Sequence, residues 1–284
     1  MPVRKRPVCE MLSVPARAAI YTGRYPSQCG APSYITYLPA QETTFMSLLQ
    51  KAGYHTAVIG KQHFGESAVR HGYDYEDLVD AEGGGSSYTR ALRAAGVTPK
   101  QMREPVGRFA QRWTGDVKHH IDDYVGERAV AWMKEKRPST QPWFLTVSFH
   151  GPHQPFDGLG LDTEKLYERA KIDMPATTRA DLAGKPPHFS EMEQKFGRLT
   201  EEEIRQTRLS YYAKISHIDR KIGAIVAALK ESWQYDDTLI VFTADHGDFM
   251  GDFGLIYKAQ YLSEVLMRVP MLAKPPVAGF VGRR

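Results

Sequence analysis

The chain has 284 residues, 42% hydrophobic and 25% charged, with 37 Lys and Arg against 33 Asp and Glu. That length supports a full buried core in one large or two small domains, and the composition is that of an ordinary globular protein. A net charge of +4 spread along the sequence gives no argument for a nucleic-acid partner. Two cysteines, Cys9 and Cys29, make no disulfide framework, and no apolar run approaches the roughly 18 residues of a membrane helix.

The first predicted element begins near Ser13, where a hydroxyl residue followed by Pro15 reads as a helix start. Residues 44–52 place apolar Phe45, Met46, Leu48 and Leu49 at helical spacing, closed by Gly53. Residues 54–59 then read as a buried strand that runs into Gly60-Lys61-Gln62-His63. The stretch Glu82 to Ser87 is a glycine-rich flexible loop. A second helix is predicted over 121–135 and a second strand over 143–149, ending at His150-Gly151-Pro152-His153. Residues 157–200 are rich in Pro, Gly and charge and read as a long surface excursion over the site. The longest helix is expected over 209–229, from Ile215, Ile218, Ile222, Ile225, Val226 and Leu229. A β-branched, buried strand over 238–242 follows, ending at Thr243-Ala244-Asp245-His246-Gly247. The alternation predicts a single α/β domain over 1–284, with a mixed, mostly parallel sheet flanked by helices. Three strands deliver polar residues at their C-terminal ends, where open parallel sheets place ligand sites.

Each polar group has an ordinary structural reading beside a chemical one. Ser13 is a helix cap or a nucleophile in need of a base or metal, and a helix N-terminus would favour negative charge there. Arg17 lies one turn further on and is either a surface arginine or a group reaching back to Ser13. Lys61 and His63 can face one anion from the same side of the chain, and Gly60 and Gly65 permit close backbone approach. His150 reads as packed in its loop, and His153 suits proton transfer near neutrality. Asp245 and His246 are plausible divalent-metal ligands at a strand end, with Asp248 and Asp252 as turn residues.

Ser13-Val14-Pro15-Ala16-Arg17, followed by Thr22-Gly23-Arg24, resembles the signature of the sulfatase family in its serine-type variant. Gly60-Lys61-Gln62-His63, Pro152-His153-Gln154-Pro155-Phe156, the run Thr243 to Leu255 and Lys258 are similar to further family segments, in the family order. Cys9 follows Pro7-Val8 but lacks Pro at +2 and Arg at +4, so Ser13 takes the nucleophile position. The resemblance implies an alkaline-phosphatase-like fold and hydrolysis of sulfate monoesters of the aryl, choline or carbohydrate type. It implies that a maturase of the radical type oxidises Ser13 to formylglycine. Arg17 would hold the formylglycine hydrate, with Lys61, His63 and Lys258 around the sulfate and His153 facing the leaving group. Asp245, His246 and Ser13 would bind a divalent cation, calcium first, with magnesium or manganese as alternatives.

The pattern also departs from the family. The aspartate pair on a first strand, expected a few tens of residues before the nucleophile, has no counterpart in the twelve residues before Ser13, which carry no predicted strand. The smaller C-terminal subdomain expected beyond Arg268-Val269-Pro270 has none either. The chain therefore reads as truncated at both ends and as a poor catalyst by itself. Two alternatives stay open: a phosphate-ester or phosphonate hydrolase acting through unmodified Ser13, and an inactive anion-binding fragment. The basic start, Met1 to Pro7, lacks the apolar stretch of a signal peptide, and the compartment stays open between cytoplasm and periplasm.

Overall fold

A computed structural model describes residues 4–7, 12–63, 69–80 and 85–277. Cys9, Gly65 and residues 82–84 of the glycine-rich stretch lie outside the described residues. In chain order come β1 (Arg4–Pro7), α1 (Ser13–Thr22), α2 (Phe45–Lys51), β2 (His55–Gly60), β3 (Tyr75–Leu78) and α3 (Ser87–Ala94). The antiparallel pair β4 (Arg103–Val106) and β5 (Ala110–Trp113) precedes α4 (Ile121–Ala131), which runs on into a π turn over Trp132–Lys136. Then follow β6 (Trp143–Ser148), β7 (Phe156–Leu159), α5 (His188–Phe196), α6 (Glu201–Glu231), β8 (Ile240–Thr243), α7 (Glu264–Met267) and β9 (Arg268–Lys274).

The architecture is mixed α/β. β2 pairs in parallel with both β3 and β6, and helices cover the two faces of this sheet. Alternate residues of β2 point to opposite sides: Ala57 and Ile59 join Val125, Ala129, Ile225 and Leu229 of α4 and α6, while Val58 joins Val14 and Ala18 of α1. Burial on both faces is why residues 55–60 read as a continuous apolar run rather than an alternating one. Two further sheets, β4-β5-β7 and β1-β9-β8, complete the described strands.

Two expectations are corrected here. Residues 4–7 do form a strand, pairing antiparallel with β9 between Arg4 and Met271 and between Pro7 and Arg268; the basic composition of the segment hid it. The strand over 238–242 was expected to be buried, but Leu239, Val241 and Phe242 are 58%, 51% and 39% exposed. β-branched composition signals a strand but not what covers it, and among the described residues β8 pairs only with β9. α6 is longer than its apolar pattern indicated, because Thr200 and Glu203 form a capping box ahead of the first apolar turn. Residues 157–200 contain the end of β7, short helical turns and α5. Phe189 and Met192 of α5 are buried against Phe249, Leu255 and Leu266.

Candidate active site

Three segment ends meet around the start of α1. Leu12 occupies the N-cap position without a side-chain bond, so Ser13 is the first residue of the helix rather than its cap. Its Oγ lies 3.0 Å from His246 Nε2, and Lys61 Nζ donates to it at 3.4 Å. Ser13 is buried, as are Arg17 and Lys61.

Arg17 ties the three segments together. Its Nε donates to Asp245 Oδ2 at 2.8 Å, and its Nη1 donates to the Lys61 carbonyl and to Ser148 Oγ, each at 2.9 Å. The C-terminal ends of β2, β6 and β8 are thus gathered on one guanidinium. Gly60 makes this possible: its φ of +107° turns the chain where a Cβ would lie 2.0 Å from the Ser148 carbonyl oxygen.

His153 lies on the other side. Its Nδ1 donates to the Gln154 carbonyl at 2.8 Å, which leaves Nε2 as the acceptor for the Lys258 ammonium. The His153 and His246 rings are 6.3 Å apart, and the His150 ring packs 5.2 Å from His153.

The electrostatics follow from crowding cations in a desolvated space. Burial and the Arg17 charge push Lys61 down to about 8. Burial, then Lys258 and Lys61, lowers His153 to about 3. His246 and His63 are each lowered to about 4, burial being the largest cause in both and Lys61 adding to it. Burial alone would raise Asp245, but Arg17, His246 and Lys61 together outweigh it and hold the carboxyl well below its usual range. At neutral pH the histidines are therefore neutral and the positive charge sits on Arg17, Lys61 and Lys258.

The structure thus brings together Ser13, Arg17, Lys61, His153, Asp245, His246 and Lys258. His63 follows them with a left-handed φ of 51° and feels the same charges. Sequence reasoning missed Ser148, whose hydroxyl receives Arg17. It also missed Asp80, whose Oδ1 accepts from the Gln62 backbone and fixes the segment between Lys61 and His63. No motif marked either residue. The only available signal was that each lies at the C-terminal end of a strand beside β2, Ser148 closing β6 and Asp80 just past β3. Asp248 was read as a turn residue and does accept from the Met250 N–H, but burial pushes its carboxyl up to about 6.

The family model described as Sulfatase matches residues 6–277. The chain belongs to the sulfatase family. It is 31% identical over 284 residues to the choline-sulfatase of Rhizobium meliloti (strain 1021), covering 94% of this chain and 54% of that protein. The arylsulfatase of Clostridium perfringens is 27% identical, with 84% of this chain and 54% of that protein aligned. The chain spans about half the length of the curated relatives it matches. Among solved structures, the phosphonate monoester hydrolase of Agrobacterium radiobacter superposes with a TM-score of 0.78 at 21% identity, over 96% of this chain and 60% of that one. A protein solved with its substrate D-glucosamine-2-N,6-O-disulfate gives 0.68 at 17% identity, over 96% and 63%. These likenesses show the fold.

The family in general works through a divalent metal and formylglycine. Here Asp245, His246 and the Ser13 hydroxyl converge, but no group of three or more His, Cys, Asp or Glu among the described residues could hold a metal ion. Asp245 is already paired with Arg17, and a dication would enter a space crowded by Lys61 and Lys258. These residues alone do not fit a divalent metal. As they stand, they form an anion pocket.

Proposed function

We propose that the protein is a sulfuric ester hydrolase of the choline-sulfatase or arylsulfatase type, with Ser13 as the position of the nucleophile. The observation that supports this most is the approach of Lys61 Nζ and His246 Nε2 to the Ser13 oxygen, at 3.4 and 3.0 Å, above a helix N-terminus. Oxidation of Ser13 by a maturase would give the formylglycine aldehyde, and addition of water to it would supply the geminal diol that attacks sulfur. Lys61 and Lys258 neutralise the sulfuryl oxygens, and Arg17 holds the Ser13 position against the ends of β2 and β6. The proton for the departing alcohol or phenol resides on Lys258, and His153 Nε2, which faces it, relays that proton to the leaving oxygen. His63, neutral at pH 7, is the base that would remove a proton from the remaining hydroxyl as sulfate is expelled and the aldehyde reforms. Asp245, His246 and Ser13, which do not fit a divalent cation by themselves, would hold one only with further oxygen ligands, calcium first and magnesium or manganese next.

Two other readings have their own support. The resemblance to phosphonate monoester hydrolases, together with a Ser13 hydroxyl already bonded to His246, favours a phosphate or phosphonate esterase if Ser13 stays unmodified. The excess of cations over cation ligands favours anion binding without turnover.

Mass analysis of the tryptic peptide carrying Ser13, after co-expression with a serine-type maturase, separates these. Loss of two hydrogens with release of sulfate from an aryl sulfate supports the sulfatase. An intact serine with phosphonate ester cleavage supports the second reading. An intact serine with sulfate binding and no turnover supports the third.

A further inference from the structure

We propose that Lys214, in the middle of α6, is the positioning residue for His153. This rests on the reading of His153 as an active-site group, and no motif singled Lys214 out.

The Lys214 side chain is 0% exposed. An ammonium has three hydrogens to place, and all three have acceptors. Nζ donates to Asp157 Oδ1 at 2.7 Å, to the Pro155 carbonyl at 3.1 Å and to the carbonyl of His153 itself at 3.4 Å. Two of its three partners therefore belong to the loop that carries His153. α4 grips the same loop from beside it: Asp122 Oδ1 accepts from the Gly151 N–H at 2.8 Å, and Asp122 Oδ2 lies 3.7 Å from Lys214 Nζ.

The surrounding charges complete the clamp. Asp157 also receives Arg103 Nε at 2.6 Å and lies 3.4 Å from His120 Nε2. The buried ammonium is thus paired and fully hydrogen-bonded, the condition under which burying a charge is tolerated. An apolar side chain of similar length would fill the space but would take the Lys214 donor from the His153 and Pro155 carbonyls, the latter keeping only the Asp157 N–H. Contact is close on the loop's side too. A Cβ at Gly151 would meet Asp122 Oδ2 at 2.5 Å, Lys214 Cε at 2.6 Å and Ile218 Cδ1 at 2.9 Å. With its back fixed to α4 and α6, the loop presents His153 with Nδ1 committed to the Gln154 carbonyl and Nε2 facing Lys258.

The test reads the side-chain 15N spectrum of His153 in the purified chain, with melting temperature measured in parallel. The unaltered protein is expected to show a single neutral tautomer protonated at Nδ1. Two changes perturb the clamp from opposite sides. The double variant Lys214→Met with Asp157→Asn removes the Lys214 and Asp157 anchors and keeps the net charge of the cluster, although Asp122 and Arg103 each lose a partner. Gly151→Ala keeps every charge and pushes the loop off Lys214 and Asp122. Both are expected to give tautomer-averaged His153 nitrogens, while the His55 signal stays put. If the double variant does not fold, Gly151→Ala decides alone. A folded variant in which His153 keeps its Nδ1–H signature would overturn the proposal. Sulfate-ester turnover is not part of this readout. Its absence with the His153 result intact would count against the sulfatase reading only.

Discussion

Arg17 Nε and Asp245 Oδ2 lie 2.8 Å apart across a sequence separation of 228 residues, and this pair joins the start of α1 to the end of β8. The same guanidinium also holds the ends of β2 and β6. One side chain thereby sets the relative position of three segments that carry candidate site residues.

Loss of that pair should be costly because it strands a carboxylate. Arg17→Met is expected to destabilise the chain by about 3–5 kcal/mol, the usual cost of breaking one side of a buried pair. Combining it with Asp245→Asn should recover more than half of the loss, since no charge is then left uncompensated. Urea denaturation midpoints of the single and double variants check this, and equal losses in both would count against it.

Lys61 should make anion binding depend on pH. Its folded pKa of about 8 lies below the ordinary lysine value, so the charge is present below pH 8 and lost above it. Affinity for inorganic sulfate should fall roughly five- to tenfold between pH 7 and pH 9, in proportion to the protonated fraction. Titration calorimetry at the two values reads this. Lys61→Met should bind weakly at both, with the step gone.

Asp248 should oppose stability at neutral pH. Its folded pKa is raised to about 6, so the native state binds the proton more tightly than the unfolded chain does. Stability from this group is therefore fullest below about pH 4 and declines as pH rises to 6. Asp248→Asn, which can still accept from the Met250 N–H, is expected to gain about 1–3 kcal/mol at pH 7 and nothing at pH 4. Thermal melts at both values decide it, and a gain of the same size at pH 4 would show that the charge is not the cause.

Gly60 and Gly223 should respond oppositely to alanine. Gly60→Ala places a Cβ 2.0 Å from the Ser148 carbonyl oxygen at a left-handed φ, and a loss of about 3 kcal/mol or more is expected. Gly223 lies within α6 and its Cβ would meet nothing within 4 Å, so alanine should stabilise by about 0.5–1 kcal/mol. Denaturation midpoints of the two variants give the contrast directly.

The sequence by itself determined the class of fold and the family. The apolar runs of β2 and β6 and the spacing of Ile218, Ile225 and Leu229 on α6 are local patterns, set by the periods of strand and helix. The Ser13–Arg17, Lys61–His63 and Asp245–His246 segments are short and contiguous, so they too could be read from one stretch at a time. What only the tertiary structure decided is who meets whom. The partners of Arg17 come from three distant segments, and Ser148 and Asp80 gain meaning only once β6 and β3 flank β2. Lys214 looks in sequence like any polar residue on a helix. Its burial under the His153 loop depends on how α4 and α6 pack, which is a non-local property. The exposure of β8 was hidden for the same reason. Strand propensity resides in side-chain shape, whereas burial depends on which neighbours arrive.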